Sequence, residues 1–146
     1  MFLFSLILSS YADAPQTSKW IRTPDIVICE DSSVNIDDVK SAVKFWQDKG
    51  HKFGSIRYVE DCLDYHSGYI LFVGDENLSS KYAGMTELFE YGGNISSAYI
   101  EVWSGANKDL KVLAHELGHA IGYEHVNNTY NIMYKCAPDA NVTIRR

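Results

Sequence analysis

Apolar residues are grouped into short runs that predict the strands of a largely buried sheet. Residues 26–29 are mostly β-branched and residues 69–73 are apolar throughout, which is typical of strands covered on both faces. Residues 53–59 alternate between two kinds of side chain, which indicates a strand with one polar side. Residues 98–103 predict another strand, and residues 85–91 are a candidate edge strand that ends before Gly-Gly-Asn.

Two longer stretches repeat apolar residues at helical spacing. Asn35 can cap a helix that runs to about Lys49, with Gly50 placed to end it. Asn107 can cap a second helix, which ends at Gly122, and no further helix is predicted after it. The order strand, helix, strand, loop, strand predicts an α/β or α+β fold. Its sheet would be largely parallel, with about five short strands and two principal helices.

Length and composition limit the class of protein. The chain has 146 residues, enough for one domain with one core, and 46% of them are apolar against 22% charged. Such a composition excludes an intrinsically disordered or fibrous chain. The formal net charge is -6, and the only clustered basic residues are Arg145 and Arg146, so binding to nucleic acid is not expected. No linker or second module points to a partner chain, and we expect a monomer.

The first residues predict an exported protein. Residues 1–10 form an apolar run that is too short to span a bilayer, so no transmembrane segment is expected. The run matches the core of a signal peptide, and the Ala-Asp-Ala tripeptide that ends at Ala14 fits a cleavage site. We therefore expect residues 1–14 to be removed, residues 15–146 to form a single domain, and the protein to be secreted. A buried first strand and a misassigned start codon are the alternatives for the apolar run.

The cysteines allow at most one intramolecular disulfide, because there are three of them. Export would favour such a bond. Cys29 ends one predicted strand and Cys62 follows the next, so this pair is the preferred candidate. Pairings with Cys136 stay open, since the sequence gives no distances.

The chemistry is concentrated in one short stretch that reads His-Glu-Leu-Gly-His-Ala-Ile-Gly-Tyr-Glu-His. On a helix, His115 and His119 project from one face, so both can bind one metal ion. Gly122 lets the chain turn sharply and bring His125 round as a third ligand. Three imidazoles leave a fourth zinc position for water, which is typical of a catalytic and not of a structural site. Glu116 is then placed to act as general base on that water.

This stretch resembles the zinc motif of the metzincin clan of endopeptidases, HExxHxxGxxH followed by a methionine turn. Met133, eight residues past His125 in Asn-Ile-Met-Tyr, is similar to the methionine that forms a hydrophobic floor beneath the metal. Within the clan, the chain is most similar to the matrixin catalytic domain, over about residues 26–134. Val126 departs from the pattern, because matrixins usually have serine there. The resemblance implies a zincin-like fold, a twisted, mostly parallel five-stranded sheet with one antiparallel edge strand, two main helices and a short C-terminal subdomain.

The resemblance also implies which metals are bound. One catalytic zinc is expected, because the loop at residues 75–84 lacks the histidines of the matrixin structural zinc site. Calcium at Asp75 and Glu76 is an open alternative for this loop. The two remaining histidines, His51 and His66, lie in predicted loops, and we expect them to face solvent without a role.

A protein or peptide substrate is the implied partner. It would lie extended and antiparallel to the edge strand, alongside Glu87, Leu88 and Phe89. A minimal pocket wall formed by residues 134–137, beginning with Tyr134, would accept a mainly apolar residue after the scissile bond.

Three functions follow from these observations. The first is a zinc-dependent metalloendopeptidase, a hydrolase that cleaves internal peptide bonds by attack of a zinc-bound water activated by Glu116. The second is a zinc-stabilised, non-catalytic binding module, although such a module would not need Glu116. The third is a peptidase or amidase that acts on short cell-wall peptides.

Overall fold

The described part of the chain contains seven strands and two helices. The computed structural model describes residues 15–79, 81–135 and 143–145. The strands are β1 (Lys19–Trp20), β2 (Asp25–Cys29), β3 (Ile56–Val59), β4 (Tyr69–Val73), β5 (Gly84–Tyr91), β6 (Asn94–Val102) and β7 (Thr143–Arg145), and the helices are α1 (Ile36–Gln47) and α2 (Leu110–Ala120). The predicted signal peptide and residues 136 and 137 of the predicted pocket wall lie outside the described residues. No helix in the described ranges is long and apolar enough to span a membrane.

One sheet joins these strands in the order β3-β2-β4-β6-β5-β7, with β1 beside the first residues of β6. All of these pairings are parallel except that of the β5–β6 hairpin. Gly92 and Gly93 form the hairpin loop with φ values of 59° and 81°, which favour glycine in a two-residue turn. The mostly parallel sheet with two helices confirms the predicted α/β (α+β), zincin-like class.

Two details of the sheet differ from the prediction. Seven strands are present in the described ranges instead of five, since β1 and β7 have two and three residues and are too short to show an alternating pattern. β5 is antiparallel to β6 as expected, but it is not an edge strand. Its outer side pairs in parallel with β7 at residues 87–89.

The predicted N-cap residue is right for α1 and wrong for α2. Asn35 caps α1 as predicted, because its side chain accepts a first-turn N–H at 2.8 Å. The prediction that Asn107 caps α2 is wrong. The cap is Asp109, whose Oδ1 accepts the N–H of Lys111 at 2.9 Å. Asn107 instead donates from Nδ2 to the carbonyl of Ser33 at 2.8 Å, so a contact distant in sequence decides between two good capping residues.

Both helices pack on one face of the sheet and form the main core with it. Trp46 of α1 donates from Nε1 to the carbonyl of Ala114 in α2 at 2.7 Å, which ties the helices together. The opposite face of the sheet has a smaller cluster that includes Leu71 and Cys29. There Cys29 and Cys62 form a disulfide, which confirms the preferred pairing.

Candidate metal centre

Helix α2 and the turn after it bring the three predicted metal ligands together. His115 and His119 lie on α2 and are both buried. Gly122, just past the helix end, has a φ of 99°, a conformation that a side chain would strain. A Cβ at Gly122 would also overlap the carbonyl oxygen of Ser18. The turn therefore requires glycine for two reasons, and it brings His125 back to the two helix histidines.

The three imidazoles converge on one point. The Nε2 atoms of His115, His119 and His125 lie 3.1 Å apart in each of the three pairs. Three nitrogens that bind zinc at ~2.0–2.1 Å with tetrahedral angles would be about 3.3–3.4 Å apart. The backbone carbonyls of Ile132 and Tyr123 lie 2.7 and 2.8 Å from Nδ1 of His115 and His119, respectively. A carbonyl only accepts, so each Nδ1 carries the proton and each Nε2 directs a lone pair into the centre.

The electrostatics of the centre also fit a bound cation. Burial lowers the pKa of His119 to about 3, and the neighbouring His115 and His125 lower it too, against the opposing effect of the hydrogen bond to Tyr123. His119 is therefore neutral at pH 7, as a metal ligand must be. Lone pairs that face one another repel, and a cation between them turns this repulsion into attraction. Within the described ranges, these histidines are the only group of three or more His, Cys, Asp or Glu side chains with ligand atoms within 4.8 Å.

Glu116, next in sequence to His115, is completely buried and held from the side by β5. The Oγ1 of Thr86, which is also completely buried, lies 2.6 Å from Glu116 Oε2 and 3.1 Å from the Glu116 carbonyl oxygen. The shorter contact is a short O–H···O hydrogen bond between the hydroxyl and the carboxyl group. Gly84 leaves room for the carboxyl group, because a Cβ there would lie 2.8 Å from Glu116 Oε1. Thr86 and Gly84 are not predicted from the sequence, because contacts between segments about 30 positions apart leave no local signal.

The predicted methionine turn packs directly against α2, the ligand helix that carries His115 and His119. Met133 is completely buried, and its N–H donates to Oδ1 of Asn131 at 2.9 Å. The turn is closed by the N–H of Tyr134, which donates to the Asn131 carbonyl at 3.0 Å. A Cβ on Gly118 of α2 would overlap Met133 Sδ, so helix and turn are in van der Waals contact.

Comparison with known families agrees with this geometry. A family model described as Matrixin matches residues 37–145, a range that contains the three histidines, Glu116 and Met133. The chain belongs to the matrixin family. This match confirms the predicted family resemblance. Matrixins are zinc-dependent metalloproteases and are typically extracellular. No curated protein matches this matrixin significantly.

An N-terminal strap, residues 15–20, crosses the end of the ligand helix in this matrixin. Trp20 Nε1 donates to the carbonyl of residue 120 at 2.8 Å, and Gln16 Nε2 donates to the carbonyl of residue 121 at 2.9 Å. The backbone N–H of Thr17 donates to the carbonyl of Gly122 at 2.9 Å. Carbonyls at a helix end lack intrahelical partners, so the strap satisfies them and braces the glycine turn. No local pattern predicts the strap, because its side chains reach residues 100 and 105 positions away.

The prediction that both remaining histidines face solvent is right only for His66. His66 is exposed, whereas His51 Nε2 lies 2.8 Å from the hydroxyl oxygen of Tyr123. The His51 ring also packs edge-on against Trp46, with ring centroids 5.6 Å apart. Burial lowers the pKa of His51 and raises the pKa of Tyr123, so the pair is neutral at pH 7 and supports the turn at Gly122.

The residues predicted to bind substrate have different surroundings. Leu88 is 2% exposed and its side chain belongs to the core, so only its main chain can meet a substrate. Glu87 and Phe89 are partly buried, and the main chain of all three residues is paired with β7. Tyr134 is partly buried and forms an isolated parallel bridge with Val126.

A second buried carboxyl group lies on β6 of this matrixin. Glu101 is 6% exposed. Burial raises the pKa of Glu101, the charges of Asp75 and Glu87 raise it further, and hydrogen bonds from Asn77 oppose them. The calcium alternative at Asp75 and Glu76 gains no ligand cluster in the described ranges.

Proposed function

We propose that this matrixin is a secreted zinc endopeptidase that hydrolyses internal peptide bonds. The observation that carries the proposal is the convergence of three Nε2 atoms at 3.1 Å in one centre, next in sequence to a completely buried carboxyl group. In this proposal His115, His119 and His125 hold one zinc ion. Glu116 is the general base.

Zinc bound there would polarise the carbonyl of a peptide and acidify a water molecule. Glu116 would accept a proton from the attacking water and donate it to the departing amine. Thr86 is a positioning residue in this reaction. Its hydrogen bond to Oε2 at 2.6 Å fixes the orientation of the Glu116 carboxyl group before the substrate arrives.

The substrate lies extended along β5 in this proposal. Main-chain hydrogen bonds to a strand bind many sequences, so selectivity has to come from side-chain pockets. Tyr134, the last residue of the methionine turn, borders the pocket for a mainly apolar residue after the scissile bond. The match to the matrixin family supports the assignment of peptidase activity, since it is a family of metalloproteases.

The proposal includes export and a single catalytic domain that acts as a monomer. A signal peptide that ends at Ala14 leaves Pro15 as the first residue of the mature chain. The Pro15 carbonyl accepts the N–H of Glu124 at 3.0 Å, so cleavage at this point keeps the strap complete. The Cys29–Cys62 disulfide supports export, because such bonds persist in oxidising compartments.

The test compares zinc-loaded parent protein with Glu116→Gln on a mixed quenched-peptide library. We expect kcat/KM to fall by about 10²–10⁴-fold in Glu116→Gln, because proton transfer by a positioned base contributes that much. Zinc content, measured by elemental analysis, should stay near one per chain. Glu124→Gln is the matched control, since Glu124 is an exposed carboxylate close in sequence, and it should keep parental activity.

Equal activity of Glu116→Gln and the parent would exclude Glu116 as the base. If parent and variant both hold zinc and neither cleaves any peptide, the endopeptidase proposal is wrong. Binding assays and cell-wall peptides would then decide between the non-catalytic module and the short-peptide amidase.

A further inference from the structure

Strand β5 is paired on both sides where a substrate would have to bind. Its inner side forms the hairpin with β6. Its outer side pairs with β7 in parallel, with Glu87 opposite Thr143, Leu88 opposite Ile144 and Phe89 opposite Arg145. The outer side of β5 at residues 87–89 is an interaction surface for an extended strand, and residues 143–145 occupy it.

This surface adjoins the metal centre. The preceding residue on β5, Thr86, is hydrogen-bonded to Glu116, and Gly84 lies against the same carboxyl group. A strand rises ~3.3 Å per residue, so residues 87–89 extend for about 10 Å from Thr86 along β5. An extended peptide whose scissile bond meets Glu116 would therefore run beside these residues.

One strand edge cannot form a ladder with two partners, because each N–H and carbonyl of the edge is used once. We propose that residues 143–145 occupy the substrate-docking edge of β5 and inhibit this matrixin competitively. The inference rests on the proposed endopeptidase function. The occupant is a backbone strand of the chain itself, and a substrate must displace it.

The direction of β7 bears on its effect. A substrate antiparallel to β5 and a β7 parallel to β5 run in opposite directions along the same edge, so β7 presents its peptide groups in the reverse order. β7 therefore blocks the edge without imitating a substrate. A three-residue ladder is weak, but its tether gives it an effective concentration of about 1 mM or more. We expect partial inhibition that substrate overcomes, with KM raised about 3- to 30-fold and kcat unchanged.

The experiment uses the full chain with the double substitution Ile144→Pro and Arg145→Pro. Adjacent residues of a strand direct their N–H groups to opposite sides, so one of the two prolines removes a donor that faces β5. Arg145→Ser/Arg146→Ser is the control, since it removes the two charges and keeps every N–H. Steady-state cleavage of the best library peptide gives kcat and KM, and hydrogen exchange of the β5 amides reports the pairing without activity.

The expected result is a KM about 3- to 30-fold lower in the proline variant, with the same kcat and zinc content. Exchange should be faster at those amides of residues 87–89 that face β7, and unchanged at those that face β6. The serine variant should match the parent in all of these. A proline variant that cleaves with the parental KM would overturn the inference and leave the endopeptidase proposal standing, as would unchanged exchange at the amides that face β7. Absence of cleavage in all zinc-loaded forms would instead overturn the proposed function, and the inference with it.

Discussion

The contact between α2 and the methionine turn predicts that Gly118→Ala destabilises this matrixin. In an exposed helix, the same substitution would stabilise by about 1 kcal/mol, because alanine is the better helix former. At Gly118 a Cβ would overlap Met133 Sδ and lie 2.6 Å from Trp46 Cζ2. The two effects have opposite signs, so the outcome depends on whether the neighbours can move.

Neither neighbour can move freely. The Trp46 indole donates to the Ala114 carbonyl at 2.7 Å and stacks on Tyr123 with centroids 5.0 Å apart. Met133 is more flexible, but it is completely buried and its N–H is bonded within the turn. A Cβ would lie less than 3.0 Å from both neighbours, so we expect the upper half of the range for core overpacking, about 2–3 kcal/mol. After the helix gain of about 1 kcal/mol, Gly118→Ala should lower the free energy of unfolding by about 1–2 kcal/mol.

The assay is urea denaturation of the metal-free protein, followed by zinc affinity in competition with a chelator. Zinc affinity should fall too, because the turn carries the Ile132 carbonyl that orients His115. The double variant Gly118→Ala/Met133→Ala tests the cause. Met133→Ala alone should cost about 2–5 kcal/mol, and the methyl group that Gly118→Ala adds should then recover at least about 0.5 kcal/mol of it. A Gly118→Ala protein as stable as the parent, or strictly additive effects in the double variant, would refute the reasoning.

Four further predictions test other parts of the structure. Thr86→Val should lower kcat about 10- to 100-fold with KM and zinc content unchanged, and Thr86→Ser should restore it, in peptide-cleavage assays. Trp20→Phe should lower the free energy of unfolding by about 1–2 kcal/mol, because it leaves a carbonyl of the ligand helix without its donor, as measured by urea denaturation. Replacing Cys29 and Cys62 by serine should cost about 3–4 kcal/mol in the same assay while zinc stoichiometry stays the same, since the loop spans 33 residues on the opposite sheet face. Glu101→Gln should stabilise the protein at neutral pH, and thermal melts should show the gain vanish in acid. A raised pKa means that folding favours the protonated carboxyl group, so the parent loses stability as pH rises from the ordinary glutamate range through the raised pKa.

The outcomes that would contradict these four expectations are distinct. If Thr86→Ser is as impaired as Thr86→Val, the effect of Thr86 on kcat comes from side-chain packing and not from its hydroxyl group. An unchanged stability of Trp20→Phe would show that the strap does not brace the helix. Loss of zinc in the serine double variant would show that the disulfide on one face of the sheet affects the metal centre on the other. A destabilised Glu101→Gln would mean that the charged carboxylate is needed.

Structure can be predicted from this sequence where the determining contacts are local. The spacing of His115, His119 and His125 is fixed by one helix and one glycine turn, so the pattern alone predicts that they meet. Asn35 and the strand Tyr69–Val73 were predicted for the same reason, because capping residues and apolar runs act over a few positions. Family resemblance added the methionine turn.

Features whose determining contact lies far away in the sequence are not predicted correctly. Asn107 and Asp109 are equally good caps, and the bond from Asn107 to Ser33, 74 positions away, decides between them. His51 looks like a loop residue until the fold places it against Tyr123. β7 has three residues, too few for any periodicity, yet it removes the free edge that the prediction assigned to β5.

The N-terminal strap also bears on the order in which parts of the protein fold. The three histidines and the methionine turn lie close together in sequence, so they can approach one another with little loss of chain entropy. The strap must instead close loops of 100 and 105 positions to reach the end of α2. Loop closure of this length is entropically costly and slows folding relative to local contacts. During synthesis from the N-terminus, the strap leaves the ribosome long before its partners do. We therefore expect the ligand helix to be braced late in folding, when the strap reaches the carbonyls of residues 120–122.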